Sequence, residues 1–364
     1  MIYVDGSPFT LTEDSSSSSS SSPGSNILME LMKHPLLMSA SCLFNAMPER
    51  TFTAFQNSGS ESAEGKHVYV FQREYATVDP ELVDFAGTDE ATTCVGIVVR
   101  NRGTGMTSVA HMDHPKIVDF GLTQMLSLIL DQDSDSVLDV HLVGGFNDTS
   151  SKQTNGFSRT NGKVDGYSFS LCAKIAETLL KRNEMFHIQT LHVLDQNTRY
   201  TPEGTAQPIF HGILVEMSTG VVMPATFDKI TRCPDHIVRR IRVTAAFEDP
   251  SWKGKLLETY DTRTNRFMIA PCTWTTRQFH IALSMRNLSN SEILFSCSTS
   301  PSAEAPDFVE NLKRSAVDKS SASASTCLLS IELSFVWLLS QPRSLFNVHQ
   351  RARGSKRSRM NRDG

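Results

Sequence analysis

The sequence predicts an α+β sandwich, mostly antiparallel sheet covered by helices. Three observations predict it. Segments with strand-like alternation outnumber segments with helical periodicity. Tight-turn signals join neighbouring strands, first at Asp5-Gly6 and again across RGTG at 102–105. Helical stretches are interspersed among the strands and no internal repeat is present, which fits helices packed on sheet faces rather than a solenoid.

The elements follow in chain order. MIYVDGSPFTL reads as a strand, a glycine turn and a second short strand. The Ser-rich insert at 15–25 has no apolar surface to bury and is expected to be disordered. NILMELMKHPLLMSASCLFN carries apolar residues at helical spacing, and Pro35 divides it into two short helices. KHVYVFQREYATV at 66–78 reads as one strand. TTCVGIVVRN at 92–101 and MTSVAHMD at 106–113 read as the two arms of a hairpin. VDFGLTQMLSLILDQ predicts a helix, VLDVHLVGGF a strand ending in a glycine pair, and 147–166 a polar loop. SFSLCAKIAETLLKRNEM at 168–185 is the clearest amphipathic helix. FHIQTLHVLD, QPIFHGILVEMSTGVVMPATF and RFMIAPCTW read as strands. A helix over TRCPDHIVRRIRVTA lies between the later ones, and another, opened by Pro306, runs over 305–317.

Composition narrows the function. With 364 residues, 39% hydrophobic and 20% charged, the chain is long enough for one large core. The organisation expected is one domain over 1–320 and a basic, disordered tail over 321–364. A net charge of -4 gives no bulk attraction to nucleic acid, although residues 341–364 concentrate seven Lys/Arg against one acid. The seven cysteines are odd in number and contain no C-x-x-C pair, which argues against a disulfide framework and a thiolate zinc site. The start lacks a secretory pattern, and the longest apolar run, 327–339, is short and contains Glu332. A monomer in the cytoplasm or nucleus, with no membrane or nucleic-acid partner, is expected.

The chemistry points to GTDEATTCVGIVVRNRGTGMTSVAHMD, residues 87–113. A cysteine entering a strand is most often a small buried hydrophobe. Cys94 differs in its surroundings: Gly87 before it permits a tight turn, Thr92 and Thr93 leave the backbone approachable, and His111 returns across the hairpin. If the arms pair about 102–105, residue 94 lies opposite 113, and alternation puts 111 on the same face. A thiol beside an imidazole is the arrangement a cysteine nucleophile needs. Thr88, Asp113 or Asp89 can orient the imidazole. His111 and His114 point to opposite faces of a strand, so no metal site is expected. Gly144-Gly145 lacks the spacing of a phosphate loop and reads as a turn.

VDG, VYVFQRE, GTDEATTCVGIVV, GMTSVAHMD, LDVHLVGGFND, PIFHGILV and CSTSPSAEAPDFVENLKR occur in order up to residue 318. On these stretches the chain resembles the protein N-terminal asparagine amidohydrolase family. From about 320 onward it departs from that pattern. The resemblance implies hydrolysis of the side-chain amide of an N-terminal asparagine to aspartate and ammonia, without a cofactor. The partners it implies are proteins or peptides with a free N-terminal Asn and, downstream, the arginylation and degradation steps of the Arg/N-degron pathway. It implies Cys94 as nucleophile and an α-β-β-α sandwich like that of chemotaxis-receptor glutamine deamidases and cytotoxic necrotizing factor toxins. In those deamidases a Thr precedes the Cys by six residues and a His follows it by seventeen, as Thr88, Cys94 and His111 do here. Specificity for an N-terminal residue needs a carboxylate or carbonyls to hold the substrate's free α-ammonium, and Asp89 and Glu90 are nearby candidates. Two other readings stay open: a Cys–His deamidase or protease acting on internal residues, and an inactive interaction protein.

Overall fold

The computed structural model describes residues 1–10, 22–53, 65–130, 136–149, 166–234, 236–247, 249–269, 275–285 and 287–321. The Ser tract up to residue 21, most of the 147–166 loop and the tail from 322 lie outside the described residues.

Alternating hydrophobicity builds a nine-stranded sheet. Its spatial order is β16 (Arg266–Phe267), β15 (Leu257–Asp261), β5 (Glu74–Val78), β8 (Thr107–Met112), β7 (Val95–Asn101), β9 (Val137–Gly144), β10 (Met185–Val193), β1 (Ile2–Val4) and β2 (Ser7–Pro8). A five-stranded sheet runs β3 (Arg50–Phe52), β14 (Val222–Phe227), β13 (Ile213–Glu216), β6 (Phe85–Thr88) and β4 (His67–Tyr69). Strands β11 (Thr198–Tyr200) and β12 (Ala206–Pro208) pair as a ribbon.

The sheets are more mixed than expected. β9–β10, β10–β1, β15–β5, β14–β3 and β4–β6 pair parallel, and the other pairings among the described residues are antiparallel. The connection from β9 to β10 runs through helix α4 (Tyr167–Lys181), the type of crossover a parallel pair needs. A second correction concerns 66–78. The predicted single strand is β4 and β5, which belong to different sheets. The chain turns between them at Arg73, which has φ 61.

Three cores fix the layering. Helices α1 (Pro23–Lys33), α2 (Pro35–Asn45), α3 (Val118–Leu126) and α4 cover one face of the large sheet. There Leu28, Leu31, Leu122 and Ile175 pack with Val95, Ile97, Val140 and Phe186. On the opposite face, Val78, Val98, Val109 and Val143 meet Val68, Ala86, Ile213 and Val215 of the small sheet. The small sheet's outer face packs Tyr69, Leu214 and Phe227 against Val243 and Ala246 of α5 (His236–Ala246). Each such aliphatic side chain contributes roughly 1.5–3 kcal/mol on full burial. Beyond them lie α6 (Thr276–Met285), α7 (Asn290–Cys297) and α8 (Phe308–Ser321). Among the described residues no single helix is long and apolar enough to cross a membrane.

Candidate active site

The hairpin β7–β8 sets the site. Val95 pairs with Met112 and Gly96 with His111. Val95 and Met112 enter the helix-side core, so Gly96, Val98, Val109 and His111 face the space between the sheets. Alternation carries Cys94 to that same face, and the register puts residue 113 opposite it and residue 111 diagonally across. Gly96 leaves this space open: a Cβ there would meet Ile213 Cδ1 at 3.1 Å and Thr88 Cγ2 at 3.3 Å.

Thr88 arrives from the other sheet. It ends β6, is fully buried, and its Oγ1 lies 2.8 Å from His111 Nδ1. Gly87 does not make the tight turn expected of it. It is mid-strand, pairs with Leu214 of β13, and lets the strands close: an added Cβ would sit 2.3 Å from the Ile213 carbonyl oxygen. The chain instead turns at Glu90, which has φ 59. His111 is buried, and desolvation holds its imidazole down at about 4.

Cys94 is a partly exposed free thiol. Desolvation pushes its pKa well above the ordinary thiol range, and the negative charges of Asp113 and Glu304 add to that. Both side chains are therefore neutral at rest, a thiol and an imidazole rather than a thiolate–imidazolium pair. Among the described residues the backbone N–H groups of Thr92, Thr93 and Cys94 donate to no backbone carbonyl. The Cys94 carbonyl is held: Gly145 N–H donates to it at 2.7 Å. Gly144, with φ +118, brings the backbone in, and a Cβ there would lie 2.7 Å from the same oxygen. The glycine pair thus grips the cysteine loop, a role its sequence signal, the lone GG after a strand, did not specify.

Charged groups surround the thiol. Arg73 pairs with Asp113 at 3.1 Å, both side chains almost wholly buried (8% and 3% exposed), and Gln72 donates to Asp113 as well. Asp89 accepts from Tyr69 OH, Phe227 N–H and Arg232 at 2.7, 2.7 and 2.9 Å. Burial lifts its carboxyl to about 6, with Arg232 opposing the rise and Glu90 adding to it. Glu90 bridges Arg232 and Arg240. Asp89 and Glu90 thus lie beside the site, engaged with arginines. Thr93 Oγ1 meets Thr299 Oγ1 at 2.9 Å, which ties the segment before α8 to the cysteine loop. That segment brings in Glu304, a site residue more than 200 positions from Cys94 for which no local pattern existed.

Fold and site together define a mixed α/β protein with a thiol and a hydroxyl-bonded imidazole on adjacent strands of one face. A profile of the protein N-terminal asparagine amidohydrolase family matches residues 57–318. The Arabidopsis thaliana protein N-terminal asparagine amidohydrolase is 54% identical over 314 residues, 86% of this chain and 90% of that one. The proteins of the same name from Mus musculus and Homo sapiens are 31% and 30% identical, each over 254 residues, 68% of this chain and 72% of theirs. The chain belongs to the protein N-terminal asparagine amidohydrolase family.

Proposed function

We propose that this chain hydrolyses the side-chain amide of an N-terminal asparagine, giving N-terminal aspartate and ammonia, with Cys94 as nucleophile and His111 as its base. The observation that carries the reading is the placement of Cys94 on the face that holds the Thr88-bonded His111, in a chain of this family. Thr88 Oγ1 accepts from His111 Nδ1–H and leaves Nε2 as the basic nitrogen. As sulfur attacks the amide carbon, its proton passes to Nε2. The oxyanion is received by the backbone N–H groups at Thr93 and Cys94, a contribution of typically about 3 kcal/mol per donor. His111 then protonates the departing ammonia, and the C–N bond breaks to leave a thioester. Water, deprotonated by the same nitrogen, attacks the thioester, and the returning proton restores the thiol.

The two facing sheets between helical layers, and the matching Thr, Cys and His separations, support a shared architecture with the chemotaxis-receptor glutamine deamidases and cytotoxic necrotizing factor toxins. The product would enter arginylation in the Arg/N-degron pathway, in cytoplasm or nucleus.

Mass spectrometry of an Asn-leading peptide tests the reading. Wild type converts amide to acid and releases ammonia, while Cys94→Ala abolishes both with its thermal unfolding unchanged. Equal turnover of an α-acetylated peptide would favour action on internal residues instead, and undiminished turnover by Cys94→Ala would end the assignment.

A further inference from the structure

We propose that Glu304 is the carboxylate that receives the substrate's free α-ammonium, and so selects N-terminal over internal asparagine. The inference rests on the amidase reading above and names the group behind its specificity.

Substrate chemistry limits where such a group can stand. In asparagine the α-nitrogen is three bonds from the amide carbon that Cys94 attacks. A carboxylate that pairs with this nitrogen must lie within Coulombic reach of the sulfur. Asp113 stands across the hairpin register from residue 94, and the Thr299–Thr93 contact brings the segment of Glu304 to the cysteine loop; the charge of each also raises the Cys94 thiol. Asp89 and Glu90 precede the cysteine by only a few residues and are the other acids beside it.

Three of these four are already engaged with cations. Asp113 pairs with Arg73, Asp89 with Arg232, and Glu90 with Arg232 and Arg240. Glu304 has no ion pair within 4 Å among the described residues; its one partner there is the Ser298 hydroxyl. It is half-buried, and desolvation raises its carboxyl above the ordinary range; the Ser298 hydroxyl and, at longer range, the Arg240 charge oppose the rise, while Glu90 adds to it. A partly desolvated carboxylate with no cation within ion-pair distance is costly, and a ligand cation relieves that cost.

The position is built rather than incidental. Glu304 closes the turn Pro301–Ala303, whose Ala303 packs against Phe146, next to the glycine pair that grips the Cys94 carbonyl. At the turn's other end Thr299 bonds Thr93. Ser300 between them is fully buried, and its hydroxyl makes no hydrogen bond among the described residues. The turn is thus tied to the cysteine loop at Thr299 and packed beside the glycine pair at Ala303.

The arrangement also couples binding to activation. In the empty site the Glu304 charge opposes thiolate formation; an ammonium docked on it cancels that charge before the thiol loses its proton. An acetylated terminus supplies no such charge.

The variant Glu304→Gln retains an acceptor for Ser298 and removes the charge. Steady-state kinetics on an Asn-leading peptide should show KM raised at least tenfold with a smaller change in kcat, and thermal unfolding near wild type. Iodoacetamide alkylation of Cys94 in the peptide-free enzyme should become faster at neutral pH, opposite in direction to the activity. A change that only loosened the fold would not raise KM and thiol reactivity together at unchanged unfolding temperature. Unchanged KM in an active variant overturns the role of Glu304. Absence of turnover in wild type overturns the amidase reading beneath it.

Discussion

Buried imidazoles give the chain a pH dependence that can be argued residue by residue. His111, His141 and His192 are each held down to about 4 by desolvation. Between their folded value and about 6.5 the unfolded chain binds protons that the folded one refuses, so stability is lost as pH falls through that window. Each contributes a slope of up to about 1.4 kcal/mol per pH unit. Asp89 works the other way. Its carboxyl is raised to about 6, so between about 4 and 6 the folded state holds a proton that the unfolded state has released. Three imidazoles outweigh one carboxyl, and urea midpoints should fall from pH 7 to pH 5. His111→Gln should flatten that fall by about one proton's worth; an identical slope would mean His111 is charged in the fold. The register that sets residue 94 diagonally across from 111 was legible in sequence, because strand alternation and hairpin length fix it. That Asp89 would be spent on Tyr69 and Arg232 was not, since both partners come from distant segments.

Among the elements, the hairpin and the segments packed around it show what local pattern can and cannot carry. The β7–β8 register follows from the RGTG turn, and the Pro35 break between α1 and α2 follows from proline at a helix start. The division of 66–78 between two sheets was hidden, because β4 and β5 are both almost wholly buried and nothing local marks a change of layer. The short strands β3, β6 and β15 went unread for a related reason. Their residues acquire strand character only by pairing with distant partners. Gly144 is where element geometry meets chemistry. At φ +118 an alanine is strained by roughly 1–3 kcal/mol, and its Cβ collides with the Cys94 carbonyl that Gly145 holds. Gly144→Ala should lower the unfolding temperature and reduce kcat/KM more than tenfold by displacing the cysteine loop. An unfolded fraction alone cannot account for such a loss if circular dichroism shows the variant folded at the assay temperature. Full activity in a folded variant would show that the loop tolerates the shift.

Across the whole molecule, one ion pair joins the layers that local reading treated separately. The run RRIR in α5 looks like the solvated face of an amphipathic helix, yet Arg239 and Arg242 are buried, at 0% and 2% exposure. Both reach Glu74 of β5 in the large sheet, and Arg239 also donates to the Tyr69 carbonyl of β4 in the small one. Burial alone would raise the Glu74 carboxyl; the two guanidiniums and the Phe71 N–H prevail and hold it below the ordinary range. Its contribution is therefore present above the ordinary carboxylate range and lost as pH falls through the lowered value. Glu74→Gln leaves two guanidiniums buried without a counter-charge and should destabilise by about 3–5 kcal/mol. Because α5 also carries Arg240, which holds Glu90 beside the cysteine loop, the damage should spread to the site and reduce activity near the unfolding transition. A paired replacement, Glu74→Leu with Arg239→Met, removes most of the stranded charge and should recover much of the loss. Chemical denaturation of the single and paired variants decides the matter: a single variant within about 1 kcal/mol of wild type would show that water reaches this junction. The fold would then depend on its three apolar cores alone, with the ion pair merely seated between them.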